Sequence, residues 1–232
     1  MKIMVLVRTR NEEQNIERFC LSYPWADKIL VADGGSTDNT KEIAKSFYNV
    51  EVKDFTERIE RNGLWRNPHG KHINFLIDWA EREKADWVIF DDCDCVPNFK
   101  LKSNIRSIIE ETSQWYKNFI YVTRLYVWGR NKYFEKMSVQ KGKYTPSLYA
   151  WRIGHLRAKE DDPWSHSFSY DPNAGEIETL MPPFCLLHYF ALSEEVETKK
   201  REFYINIEQH PGLLPHHQTY GNPVKLPEWA KL

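Results

Sequence analysis

The chain has no excess of either charge: 32 Lys and Arg stand against 33 Asp and Glu, a formal net charge of −1 over 232 residues. Proteins that grip nucleic acid by its phosphates normally carry a basic surplus, so no nucleic-acid partner is expected. Long apolar runs are missing as well. The opening "MKIMVLVRTRNEE" holds only the run IMVLV, too short for the core of a signal peptide. The longest later stretch, "PPFCLLHYFAL", contains a histidine and is too short to cross a bilayer. Cysteine is scarce, with four at 20, 93, 95 and 185 and no framework spacing, which fits a reducing cytosol. The expected location is cytoplasmic, and peripheral contact at the inner face of a membrane remains compatible.

What is present is a folding chain, 41% hydrophobic, with nine Trp, twelve Tyr and twelve Phe. Its first half alternates strand and helix patterns. "IMVLV", "KILVA", "VEVK" and "DWVIFD" read as strands. Between and after them, helical spacing recurs in "NEEQNIERFCLSY" (Ile16, Phe19, Cys20), "GGSTDNTKEIAKSF", "HINFLIDWAER" (Ile73, Leu76, Ile77, Ala80) and "NFKLKSNIRSIIEETSQ" (Leu101, Ile105, Ile108, Ile109). Such alternation predicts an α/β fold with a parallel sheet and right-handed crossovers. Ligands of such sheets sit at the carboxyl ends of the strands. The polar residues closing the strands, Arg8 to Asn11, Asp33 to Ser36 and Asp91 to Asp94, are therefore expected along one edge. After about residue 118 the alternation stops. "FIYVTRLYVW", "SLYAWRI" and "FCLLHYF" read as strands, "SEEVETKKREFYINI" as a helix, and the last stretch, with four prolines, as an extended tail.

Several clusters carry chemistry. "IFDDCDCVPN" ends an apolar strand on three carboxylates. In an extended segment residues i and i+2 share a side, so Asp92 and Asp94 are expected to face one point. Adjacent carboxylates are costly unless protonated or bridged by a cation, and oxygen donors suit Mg2+ or Mn2+. A strand end that simply opens into an acidic loop is the plainer alternative. "VADGGSTDNT" offers a turn whose N–H groups can meet a phosphate or ribose, with Asp33 as an acceptor; Ser36 and Asp38 read as helix caps. Lys71 precedes a helix, where diphosphate charge is welcome, and His188 lies within apolar residues. Cys93 and Cys95 read as buried thiols. "AKEDDPWSH" gathers Glu160, Asp161, Asp162 and His166 beside Trp164, the best source of a general base outside the first half.

In order and spacing, "RNEEQNIERF", "WADKILVADGGSTDNT", "GKHINFLIDWA" and "DWVIFDDCDCVPN" resemble the inverting family 2 glycosyltransferases of the GT-A fold. The closest resemblance is to the bacterial branch acting on lipopolysaccharide core or cell-surface glycans. It covers the first hundred residues well and the rest loosely. It implies a Rossmann-like three-layer α/β/α sandwich with a mostly parallel central sheet and an aromatic-rich acceptor side. One domain over 1–232 is expected: a nucleotide-sugar-binding half at 1–117, an acceptor half at 118–208 and the tail at 209–232. The implied reaction moves a hexose from a nucleotide-diphosphate sugar, a UDP-sugar first, to a hydroxyl of a glycan, glycolipid or other acceptor, using Mn2+ or Mg2+. Arg8, Arg10, Glu12 and Asp33 fall where the family receives base and ribose, and Lys71, Asp92 and Asp94 where it receives the diphosphate. Asp94 and Asp92, completed by His188, correspond to the metal site. Asp162, with Asp161 and Glu160 as near equals, is placed as the base, and Trp151 and Trp164 as acceptor platforms. The chain departs from the family at Gly34, where many relatives have a second aspartate, and at Ile73, where the close branch often has arginine.

Two other activities share features. "DCDCV" fits the D-x-D-x-[TV] of haloacid-dehalogenase-like phosphatases, with Asp92 as nucleophile, although three strand–helix units precede it here. Sugar-nucleotide pyrophosphorylases need a Gly-rich loop at the first strand, and "VRTRNEE" has no glycine. A non-catalytic nucleotide-sugar-binding module is the remaining alternative.

Overall fold

The computed structural model describes residues 1–61, 64–129, 131–140, 143–144, 146–160, 168–171, 175–191, 198 and 222–230. In its first part β1 (Ile3–Thr9), α1 (Ile16–Ser22), β2 (Lys28–Asp33), α2 (Thr40–Lys45) and β3 (Val50–Asp54) follow one another. A small hairpin of β4 (Ile59–Arg61) and β5 (Leu64–Arg66) leads into α3 (His69–Arg82), then β6 (Trp87–Phe90), β7 (Cys95–Pro97) and α4 (Phe99–Gln114). The second part opens with β8 (Lys117–Trp128), β9 (Lys132–Tyr133), α5 (Glu135–Ser138), β10 (Val139–Gln140) and β11 (Lys143–Tyr144). It continues with β12 (Pro146–Arg152), β13 (Leu156–Ala158), β14 (Phe168–Tyr170), β15 (Glu176–Ala191) and β16 (Val224–Lys225).

The principal sheet runs β16-β9-β8-β12-β6-β1-β2-β3, and β15 joins it through β8 and β7. Strands β3, β2, β1 and β6 are parallel, while β12 lies antiparallel between β6 and β8. Alternate residues of β1 point to opposite faces, and both faces are covered. Met4 and Leu6, with Leu30 of β2, pack on Ile73, Leu76, Ile77 and Ala80 of α3. Val5 and Val7, with Ile29 and Val31, pack on Ile16 and Phe19 of α1 and Leu101, Ile105 and Ile109 of α4. Burial on both faces explains why the parallel strands read as unbroken apolar runs. The result is the predicted α/β/α layering. Among the described residues no helix is long and apolar enough to cross a membrane.

Two expectations change. The helix pattern from Asn11 begins as a helix only at Ile16. Asn11 adopts φ 56, and its neighbours bond across to the β2–α2 loop instead, with Asn11 N donating to Ser36 Oγ (2.8 Å) and Glu12 N to Thr40 Oγ1 (2.8 Å). The strand expected at "FCLLHYF" is the end of the longer β15, whose first residues pair with β8 as well. The helix expected over "SEEVETKKREFYINI" and the tail up to residue 221 lie outside the described residues, apart from Thr198.

Candidate active site

The carboxyl ends of β2, β1 and β6 place three polar groups side by side. Register sets Thr9 beside Asp33, and Thr9 Oγ1 donates to Asp33 Oδ2 at 3.1 Å. Asp33 is fully buried, and Gly35 N (2.9 Å), Ser36 N (2.8 Å) and Ser36 Oγ (2.5 Å) also donate to its carboxylate. Ser36 therefore braces Asp33, while Asp38, just ahead of the N-cap Asn39, accepts from Thr40 N at 3.0 Å at the start of α2. One residue back on β1, Arg8 donates to Asp92 Oδ1 from Nη2 (3.0 Å) and Nε (3.3 Å).

The segment after β6 is not extended. Cys95 N donates to Asp92 O at 2.9 Å, closing a turn, so Asp92 and Asp94 do not share a face as strand geometry predicted. Asp92 turns to Arg8. Asp94 turns to His188, whose Nε2 lies 3.4 Å from Asp94 Oδ1. The link is the antiparallel pairing of β7 with β15, which sets His188 opposite Cys95, while Tyr189 N donates to Asp94 O at 2.8 Å. Asp91, at the end of β6, is buried against Arg124 of β8 (Nη2 to Oδ1 2.8 Å), and the same oxygen accepts from Asp92 N at 2.9 Å. Burial pushes the Asp91 carboxyl above the ordinary range, with Arg124 opposing.

A divalent cation is tested by the donors available. Asp94, His188 and Cys95 offer O, N and S atoms all within 4.8 Å of one another. That set fits a transition ion, and Asp92 is not part of it. Cys93 and Cys95 are the buried free thiols expected.

The same edge continues at the β2–α2 turn. A cavity of about 370 Å3 lined by Gly35, Lys41, Asp54, Phe55, Thr56 and Arg58 opens beside it. Arg10 donates to Trp65 O at 3.0 Å, and burial with the nearby Arg58 lowers its pKa. Glu12 holds the β1–α1 loop, accepting from Asn15 Nδ2 at 2.7 Å. Lys71, on the first turn of α3, pairs with Glu57, and both are exposed. Next to it His72 Nε2 donates to Ala32 O at 2.9 Å, and its ring stacks on Phe55 at 4.3 Å. Burial lowers its pKa to about 4, so the ring is neutral near pH 7.

Of the three carboxylates placed as the base, Glu160 is described: its Oε1 accepts from Asn74 Nδ2 at 2.6 Å on α3, one turn beyond Lys71. Asn74 also bonds Ala158 N (2.9 Å) and O (3.0 Å), tying this acidic segment to α3. Asp161, Asp162, His166 and Trp164 lie outside the described residues. Trp151 is a correction. Its side chain is 0% exposed, packed between Phe90 and Phe168 under the sheet, so it is core and offers no face to a sugar. Strand β12 is central and covered on both faces, with Tyr149 and Ala150 in the layer of α1 and α4 and Trp151 in the layer of α3.

Sequence reasoning missed Arg124 and Asn67. Arg124 had a signal: a charge in the middle of the otherwise apolar "FIYVTRLYVW". Asn67 had none. It donates to Phe55 O (3.3 Å) and Glu57 O (2.9 Å), and its Oδ1 occupies the space a Cβ on Gly34 would need. Gly34 is thus dictated by Asn67.

A family described as glycosyl transferase family 2 matches residues 4–175. No curated protein shows a significant match. Among solved structures, S. aureus TarS (residues 1–349) is 19% identical, with 94% of this chain and 68% of that one covered at a TM-score of 0.50, a likeness of fold. Glucosyl-3-phosphoglycerate synthase from Mycobacterium tuberculosis, crystallised with Mn2+ and UDP, is 21% identical over 54% of this chain and 44% of its own at a TM-score of 0.38. A mycobacterial protein aligns at 14% identity and a TM-score of 0.49, covering 88% of this chain and 73% of that one. The chain spans less than half of the mycobacterial synthase. The family match overturns the phosphatase alternative on Asp92, whose carboxylate is in any case Arg8's partner.

Proposed function

The chain belongs to glycosyl transferase family 2, a nucleotide-sugar transferase, and from that premise we propose that it moves a hexose from a UDP-sugar, with inversion and with Mn2+ or Mg2+, to a hydroxyl of a cell-surface glycan or glycolipid. The observation carrying this reading is the Asp94–His188 pair at the carboxyl edge of the parallel strands, joined through Arg8–Asp92 to the Asp33 turn. Asp94 and His188 would hold the cation, which when bound offsets charge on the departing diphosphate. Lys71, at the first turn of α3, adds a positive charge where the helix dipole also favours an anion. The cavity beside Gly35 and Arg58 receives the base and ribose.

In the reaction, the acceptor oxygen bonds to the anomeric carbon from the face opposite the diphosphate. The bond from that carbon to the diphosphate oxygen breaks, and the hydroxyl proton passes to a carboxylate. Asp162, Asp161 and Glu160 are the carboxylates for that step, and the tether of Glu160 to Asn74 supports bringing this segment to the donor. Trp164 is the acceptor platform that remains from the sequence reading.

The experiment is thermal unfolding with UDP-, GDP-, dTDP- and CMP-sugars, with and without Mn2+. A true donor at 100 times its dissociation constant adds about 2.7 kcal/mol. The UDP-sugar is expected to stabilise with Mn2+, and Asp94→Asn to remove the Mn2+-dependent part. Equal stabilisation by UDP-sugar in that variant refutes the metal role. Product formation with a glycan acceptor separates a transferase from a binding module.

A further inference from the structure

The reading of Asp94 and His188 as a cation site leaves one neighbour without a part. Cys95 is the first residue of β7, the strand that carries the pairing to β15, and His188 stands directly opposite it in the antiparallel register. Directly opposed residues project from the same face of a sheet. The thiol and the imidazole therefore face the same space, and Asp94 enters it from the turn. All three positions are fixed by backbone bonds: Cys95 N to Asp92 O (2.9 Å), Tyr189 N to Asp94 O (2.8 Å) and the β7–β15 ladder.

The spacing of the donor atoms is informative. Asp94 Oδ1 lies 3.4 Å from His188 Nε2 and 3.8 Å from Cys95 Sγ. A tetrahedral ion with bonds of about 2.0–2.1 Å to O and N and about 2.3 Å to S requires O···N of about 3.4 Å and O···S of about 3.5 Å. The first distance already agrees, the second closes by a few tenths of an ångström, and the third, from His188 to Sγ, lies within 4.8 Å and closes toward about 3.5 Å as the ion draws the donors in. Oxygen-seeking Mg2+ makes no use of a thiolate, whereas zinc is held by O, N and S together. Three protein ligands with one position open is also the arrangement of a site that receives a further ligand.

We propose that Cys95 Sγ is a third ligand at this site, and that the site therefore takes Zn2+ more tightly than Mn2+ or Mg2+. Coordination releases the thiol proton to solvent, leaving thiolate on the ion. The side chains of His188 and Asp94 keep 18% and 10% of their surface exposed, so the ion enters past them, while the thiol itself is shielded.

Co2+ added to the full chain reports the ligand set directly. The wild type is expected to show a near-ultraviolet thiolate-to-cobalt charge-transfer band that Zn2+ abolishes. Cys95→Ser should lose the band, and Cys93→Ser should keep it. Loss of the thiolate is expected to weaken Zn2+ by about tenfold or more and Mn2+ by less than about threefold. X-ray absorption on the zinc-loaded wild type, which needs no variant to fold, should show one sulfur at about 2.3 Å. Co2+ bound without the band, a band that survives Cys95→Ser, or a zinc spectrum without sulfur overturns the proposal. None of these touches the donor reading, which is decided by Mn2+-dependent stabilisation with a UDP-sugar.

Discussion

Replacing Arg124 by leucine tests how the acidic turn is supported. Arg124 reaches from β8 to Asp91, whose side chain is 1% exposed, and the Asp91 oxygen that accepts from Arg124 also holds the N–H of Asp92. Leucine removes the cation and leaves a buried carboxylate without its counter-charge. Breaking a buried pair from one side costs about 3–5 kcal/mol. At this chain length that lowers the melting temperature by roughly 6–20 °C, taking about 2–4 °C per kcal/mol. The sign of the pH dependence follows from Asp91. Burial already raises its folded pKa, and losing Arg124 raises it further. A carboxyl raised in the folded state is tolerated while protonated and destabilises as pH climbs above its unfolded value of about 3.9. The penalty of Arg124→Leu should therefore grow as pH rises, by at most about 1.4 kcal/mol per pH unit. Urea unfolding of both proteins at pH 5, 6.5 and 8 measures it. A penalty below about 1 kcal/mol, or one independent of pH, refutes the buried-pair argument.

Other substitutions probe separate parts of the edge. His72, with its folded pKa lowered to about 4, contributes stability above its unfolded value near 6.5 that is lost as pH falls toward 4, about 3 kcal/mol in all. His72→Gln, which keeps a donor for Ala32 O, should flatten the stability profile over that window. Gly34→Asp forces its Cβ onto Asn67 Oδ1 and should cost about 1–3 kcal/mol, with partial recovery when Asn67→Ser is added; a neutral single variant would contradict the packing described. Gly70→Ala drives a methyl into the Lys159 carbonyl and should displace the acidic segment from α3. Turnover is then expected to fall by about tenfold or more, since small misplacements near the chemistry are that costly, with donor-induced stabilisation little changed.

How much was legible depends on the range of each interaction. The apolar runs of β1, β2 and β6 announced a two-sided parallel sheet because burial on both faces leaves no polar alternation to confuse the pattern. The convergence of Arg8, Asp33 and the Asp91–Asp94 cluster followed, because parallel strands end at one edge. The orientation of the carboxylates did not follow. A single i to i+3 bond, Cys95 N to Asp92 O, replaces strand alternation and parts Asp92 from Asp94. Trp151 failed for a related reason: an aromatic ring reads alike as platform or core until its neighbours Phe90 and Phe168 are known.

The sequence by itself determined the α/β alternation, the sheet edge where the polar groups gather and the family, since these rest on periodicity and on short ordered motifs. Only the tertiary structure decided which partner each charged group takes. His188 is 94 residues from Asp94, yet the β7–β15 register brings their donor atoms to 3.4 Å. Arg124 likewise reaches Asp91 across 33 residues, through the sheet order. Such pairings depend on strand register and on how far a turn rotates a side chain, and neither quantity is carried by local spacing.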